Sequence, residues 1–241
     1  MLAAAILIAV FITSLISGVL GMAGGIILMA ILVTVLSVSS AMIAHGLVQA
    51  TANGSRAIFL REHIQWSILP AYLLGASLAT GLFVSLTLVP DASTILICIG
   101  LFPWIARLLP SMRGLNITQK STAMLCGTLV TGAQLFAGAS GPLLDIFYLN
   151  TPLNRYQVIA TKALTQTLGH VLKTIYYTLI VQFSDSLPIW ILLLAMTSAV
   201  LGTRVGTRLV DYFSDAQFRK YSGAAILVIG TFCLAKGFSE L

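Results

Sequence analysis

The chain has 241 residues, of which 58% are hydrophobic and only 8% charged, with a formal net charge of +6. A soluble globule covers its surface with far more charge, roughly a quarter of its residues, so a soluble domain is excluded, together with a disordered chain, a nucleic-acid-binding basic arm and a disulfide scaffold. Long unbroken apolar runs without period-two alternation exclude a membrane β-barrel and leave an all-α, polytopic transmembrane protein.

In chain order the apolar stretches fall at 2–37, 40–60, 65–89, 92–109, 121–150, 156–182, 187–209 and 219–237. No Lys or Arg precedes Arg56, so Met1–Leu20 lacks the basic start of a signal peptide and reads as part of the membrane domain. A span needs about 20 residues. Residues 2–37 are nearly two spans, broken at Gly21-Met22-Ala23-Gly24-Gly25, and 121–150 is broken at Gly138-Ala139-Ser140-Gly141-Pro142. Glycine and proline weaken a continuous helix there, which predicts two helical hairpins. Cys98, Cys126 and Cys233 stand apart in apolar runs, without metal or redox spacing, and read as packing residues.

Basic residues mark the cytoplasmic loops of a membrane protein. If 121–150 enters and returns to its own side, Arg56/Arg61, Arg107/Arg113/Lys120, Arg155 and Arg204/Arg208/Arg219/Lys220 all become cytoplasmic, while Asp91 and Asp185 become external. The halves also align with each other. Gly21 falls on Gly138 and Gly24 on Gly141; Gln49 falls on Gln166, Asn53 on His170 and Arg56 on Lys173. Repeat one covers 1–113 and repeat two 121–241, within a single transporter domain. The first hairpin enters from outside and the second from the cytoplasm, so the repeats are inverted. Each has a Gly-broken hairpin plus about three transmembrane helices, the plan of many secondary transporters, whose substrate site lies at the midplane.

His45, Gln49, Asn53 and Arg56 recur every three or four residues and share one helical face; Lys162, Gln166, His170 and Lys173 repeat the pattern, with Arg155 on the same face. A Lys or Arg at the bilayer centre costs about 2.5–3.5 kcal/mol on translocon scales, so both stripes are expected to face inward. Hydrogen bonding between helices is the structural alternative, and Arg56 and Lys173 lie near enough to helix ends to snorkel. The interior is basic or neutral-polar. Glycine-rich turns ahead of half-helices form anion-binding nests. The candidate anion site lies between the two turns and the facing stripes: Gly24, Gly25, His45, Gln49, Asn53, Arg56, Ser140, Gly141, Lys162, Gln166, His170 and Lys173, with Gln49, Asn53, Gln166, His170 and Lys162 nearest the ligand and a Lys or Arg supplying countercharge. Asp145, the acid deepest in an apolar run, is the candidate for proton coupling, together with the histidines; an ion pair with Lys162 or Lys173 is the alternative. No metal site and no cofactor are expected.

The two glycine motifs, each followed by a polar-striped helix (Ala44 to Arg56, and Ala160-Thr161-Lys162-Ala163 onward), resemble those of the sulfite exporter TauE/SafE family, and the resemblance covers the whole chain. It implies transport of small anions such as sulfite, sulfoacetate and related organosulfonates. The function expected is a secondary transporter working by alternating access in the cell membrane, as a multi-pass protein of the bacterial inner membrane. Its partners would be a small anion and the lipid bilayer, with no nucleic acid and with a homo-oligomer as an option. An anion channel is the alternative. An intramembrane enzyme is the weakest reading, because His45, His63 and His170 form no catalytic or metal spacing.

Overall fold

A computed structural model of the chain describes residues 2–20, 23–108, 115–148, 150–181, 187–209 and 215–240. Gly21, Met22, Arg113, Asp185 and Asp211 lie outside the described residues, as do the side chains of Arg219 and Lys220, so the topology expectation at Asp185 falls there too. The described chain is helical, with no strand among the described residues.

The first half contains α1 (Leu2–Leu20), α2 (Ala23–Val35), α3 (Val38–Phe59), α4 (Leu69–Leu86) and α5 (Ala92–Leu108). The second contains α6 (Lys120–Ala137), the short α7 (Gly141–Ile146), α8 (Arg155–Ile175), α9 (Ile189–Leu209) and α10 (Asp215–Ser239). Local chemistry sets the boundaries. The Ser37 side chain accepts from the Ser40 amide ahead of α3. Asn154 and Gln157 form a reciprocal capping box at the start of α8. The Asp91 carboxylate accepts from the Thr94 amide where α5 begins. Gly138 ends α6 with φ of 77°, a left-handed conformation that glycine adopts without strain. Tyr176–Val181 continues α8 as a π-helical segment, a local widening that the apolar pattern of 156–182 gave no sign of.

The strongest packing partners are α1 with α9, α4 with α6, α3 with α8 and α5 with α10. Exchanging the halves element for element maps α1–α9 onto α6–α4 and returns the other two pairs to themselves. In α3 and α8, Gly46 faces His170 and Thr174 while Gly54 faces Thr167, so this pair is antiparallel. The α5–α10 pair is antiparallel too, with Gly100 on Gly230 and Gly237 on Ile97 and Ser93. In these two pairs of sequence-equivalent helices, α3 with α8 and α5 with α10, the members run in opposite directions. By contrast, α1 runs parallel to α9, and α4 parallel to α6.

Small residues make these contacts tight. A Cβ on Gly75 would fall on the Met124 carbonyl, and one on Gly127 on the Tyr72 carbonyl. Close backbone approach of this kind is how helices pack where no hydrophobic force separates protein from surroundings.

Outside and inside are reversed relative to a soluble protein. Leu74, Leu78, Leu82 and Leu86 on α4, and Trp190, Leu193 and Leu201 on α9, are exposed. Meanwhile His45, Gln49, Asn53, Gln166, His170 and Lys173 are buried on α3 and α8. The segments Trp66–Leu86 and Ile189–Leu209 are each long and apolar enough to cross a bilayer. Contacts across the bundle gather the basic helix ends: Arg56 donates to the Ser17 carbonyl at the end of α1, and His63 stacks on Tyr156 at the start of α8. Asp91 lies at the other end of α4–α5. Cys126 and Cys233 are buried in the apolar cores and Cys98 is half-buried; all three are free.

Candidate functional site

The two central helices, α3 and α8, carry the polar stripes and face each other, so the stripes meet. Between them and the two hairpins lies a small cavity of about 20 Å³, lined by Ser17, Gly25 and Ile26 of the first hairpin, His45 and Gln49 of α3, Ala139, Ser140 and Gly141 of the second hairpin, and Gln166 and His170 of α8. Seven of the residues singled out in the sequence border it: Gly25, His45, Gln49, Ser140, Gly141, Gln166 and His170.

The remaining ones are placed differently. Gly24 is a packing notch: a Cβ there would strike the Thr13 carbonyl and come within 2.8 Å of Ser17. Gly25, one position on, instead faces the Gln49 amide, with 3.5 Å of space for a Cβ. Asn53 stands behind Gln49, donating from Nδ2 to the Gln49 carbonyl at 3.0 Å and to its Oε1 at 3.4 Å. Arg56 is bound to the Ser17 carbonyl at 3.0 Å. Lys162 forms an ion pair with Asp145, with side chains 18% and 39% exposed, and does not reach the cavity. Asp145 is thus held by Lys162 and lies outside the lining, as the ion-pair alternative had it. Lys173 does not snorkel. It has no exposed surface, and its Nζ donates to the Gly138 carbonyl and contacts His45 Nδ1, both at 2.8 Å. It lies on the face of α8 that packs against α3, which turns its ammonium inward.

The hydrogen bonds orient the rings. His45 Nε2 lies 2.9 Å from the Gly25 carbonyl. A carbonyl only accepts, so Nε2 carries the proton and Nδ1 receives the Lys173 ammonium. The His45 and His170 rings meet edge to face, 5.3 Å between centroids and 64° between planes. Three polar atoms at the cavity have no protein partner: Gln49 Nε2, Ser140 Oγ and His170 Nδ1. Their residues are 3%, 2% and 4% exposed. Each buried polar group left without a partner costs about 1–3 kcal/mol, and these three belong to residues that line one space. No carboxylate among the described residues lines that space. Among the described residues, ion pairs join Lys162 to Asp145 and Lys236 to Glu240, and none joins Lys173 to an acid.

A space bordered by donors and backed by an uncompensated lysine suits a small anion. The family model described as sulfite exporter TauE/SafE matches residues 6–233. The chain belongs to the sulfite exporter TauE/SafE family. No curated protein and no solved structure matches it. As a family member it is a membrane protein whose activity is transport of sulfite or a related small anion, and the all-helical architecture agrees with that.

Ser17 is the polar lining residue that reading the stripes alone misses. The repeat alignment held the signal: Ser17 falls on Gln134, another buried polar residue whose amide nitrogen and oxygen both lack partners. A serine in an apolar run is unremarkable by itself, but matched polar positions in equivalent helices are not.

Proposed function

We propose that this TauE/SafE member is a multi-pass secondary transporter of the bacterial inner membrane that carries sulfite or a small organosulfonate such as sulfoacetate by alternating access. The observation that carries the reading is that Gln49, Ser140 and His170, whose Nε2, Oγ and Nδ1 are buried without protein partners, line one space that no carboxylate borders among the described residues. Gln166 and the first-turn amide of α2 at Gly25, at the positive end of a helix dipole, complete the polar lining.

Repeats 1–113 and 121–241 are read as inverted; the antiparallel α3–α8 and α5–α10 pairs and the exchange of α1–α9 for α6–α4 support that reading. The site then sits on the axis relating them, where Gln49 and Gln166 are equivalent. The cavity has room for about one water molecule by volume. A multi-atom oxyanion enters only when the hairpins part from α3 and α8, which favours a carrier over an open channel.

Radiolabelled sulfite counterflow in proteoliposomes tests this. Exchange that saturates, and that falls at least tenfold in Ser140→Ala and His170→Gln, supports the reading. Unitary currents carrying the anion in planar bilayers would replace it with the channel.

Lys162 lies one turn from Gln166 on the same face of α8 and is read as supplying charge on the approach. Because it is partly exposed and already held by Asp145, Lys162→Met is expected to weaken sulfite binding about fivefold and to change stability by at most about 1 kcal/mol. Titration calorimetry and thermal unfolding check these values.

A further inference from the structure

His45, His170 and Lys173 form a cluster of three basic side chains that the transport reading does not by itself explain. They are 0%, 4% and 0% exposed. Lys173 Nζ bridges the Gly138 carbonyl and His45 Nδ1, and the two rings touch edge to face. Both nitrogens of His45 are engaged, one by Gly25 and one by Lys173. His170 Nδ1 is not: it borders the cavity with no protein partner.

The charges around the cluster add no acid. On α3, Arg56 is bound to the Ser17 carbonyl. Asp145 on α7 is paired with Lys162. Tyr72 of α4 donates to the Thr165 carbonyl, and Tyr176 and Tyr177 of the π-helical segment to the Leu88 and Leu135 carbonyls. Arg204 and Arg208 on α9, and Arg61 and Glu62 beside the start of α8, are exposed. Three adjacent basic groups, out of water and without a carboxylate, do not all carry charge together. An anion entering the cavity supplies the missing negative charge and makes a further proton favourable.

Resting on the anion reading of this cavity, we propose that His170 is the coupling-proton site of the transporter: its Nδ1 gains a proton as the anion binds and donates it in a hydrogen bond to the anion. The step adds one proton to a neutral imidazole and releases nothing, giving an imidazolium–anion pair. A monovalent anion and the proton then cross together with no net charge added to the low-dielectric centre, and a dianion crosses with one negative charge instead of two. Linkage sets the sign: where one proton is taken up per anion, affinity falls about tenfold for each unit rise in pH. Lys173 and His45 are positioning residues that keep a fixed dipole and charge behind the His170 ring.

The chain has three histidines, which makes a direct test simple. Full-length protein labelled with ¹⁵N at the histidine rings, in nanodiscs near neutral pH, is observed before and after saturation with sodium sulfite, and again with methanesulfonate. Single His→Gln variants assign the signals. The expected result is that the His170 ring changes from the neutral to the imidazolium signature on saturation with either anion. His63, which is stacked on Tyr156 away from the site, stays unchanged, and His63→Gln binds as wild type does. A saturated complex in which the His170 ring remains neutral overturns this inference and leaves the anion site standing. Absence of binding of either anion at any pH overturns the anion reading itself, and this inference with it.

Discussion

The double substitution Gln49→Leu with Gln166→Leu is expected to weaken sulfite binding at least a hundredfold while leaving the protein folded and close to wild type in stability. The two amides are equivalent in the repeats and both border the cavity. A hydrogen bond to a charged group contributes about 1.5–3 kcal/mol, and two of them lost together exceed the hundredfold mark at about 1.4 kcal/mol per decade. Stability is expected to change little, because removing the unpartnered Gln49 Nε2 offsets the loss of the Asn53 Nδ2 bond to Gln49 Oε1. Leucine of similar length keeps the packing volume. The contrast between the two effects is the point. Titration calorimetry gives the affinity and thermal unfolding the stability; a variant that binds sulfite as wild type does moves the site away from the α3–α8 interface. A variant that loses stability and binding together would give the glutamines a structural role.

Gly75→Ala is expected to destabilise the fold by about 2–3 kcal/mol, and Gly81→Ala on the same helix to stabilise it by about 0.5–1 kcal/mol. Both sit in α4, so their intrinsic preference is the same: alanine is favoured over glycine within a helix by about this smaller amount. They differ in what a methyl group meets. At Gly75 it would fall on the Met124 carbonyl of α6, and at Gly81 it meets nothing within 4 Å. Backbone cannot rotate aside as a side chain does, so α4 and α6 must separate along their length and lose contacts at Tyr72, Ala76 and Ala79, all buried at this face. Reversible unfolding in mixed micelles resolves the two values. Equal effects at both positions would mean that α4 and α6 do not approach as closely as described.

The glycine breaks that divide 2–37 and 121–150 were legible because an apolar run longer than a bilayer is wide needs a reason not to be one helix. The stripe residues were legible as interior for a related reason: polar side chains at helical spacing cannot face lipid. Both arguments are one-dimensional. They fix which face of α3 or α8 turns inward but not how far along the axis its partner sits. Hence Lys162 and Gln166, adjacent on one face, have different surroundings, one paired with Asp145 and the other at the cavity.

By itself, the sequence determined the all-helical membrane class, the hairpin breaks, the family and the helices that carry polar groups. The family rests on the resemblance of the two glycine motifs; the rest follow from composition and periodicity, which depend only on the solvent each residue meets. The tertiary structure alone decided that Gly24 is a notch while Gly25 faces Gln49, that Lys173 turns inward to His45 and Gly138, and that Asp145 is held by Lys162. It also decided which polar atoms remain unpartnered. Each of these depends on distances between elements far apart in the chain, set by the antiparallel crossing of α3 and α8 and the depth of the two hairpins, and periodicity within one element carries no information about either.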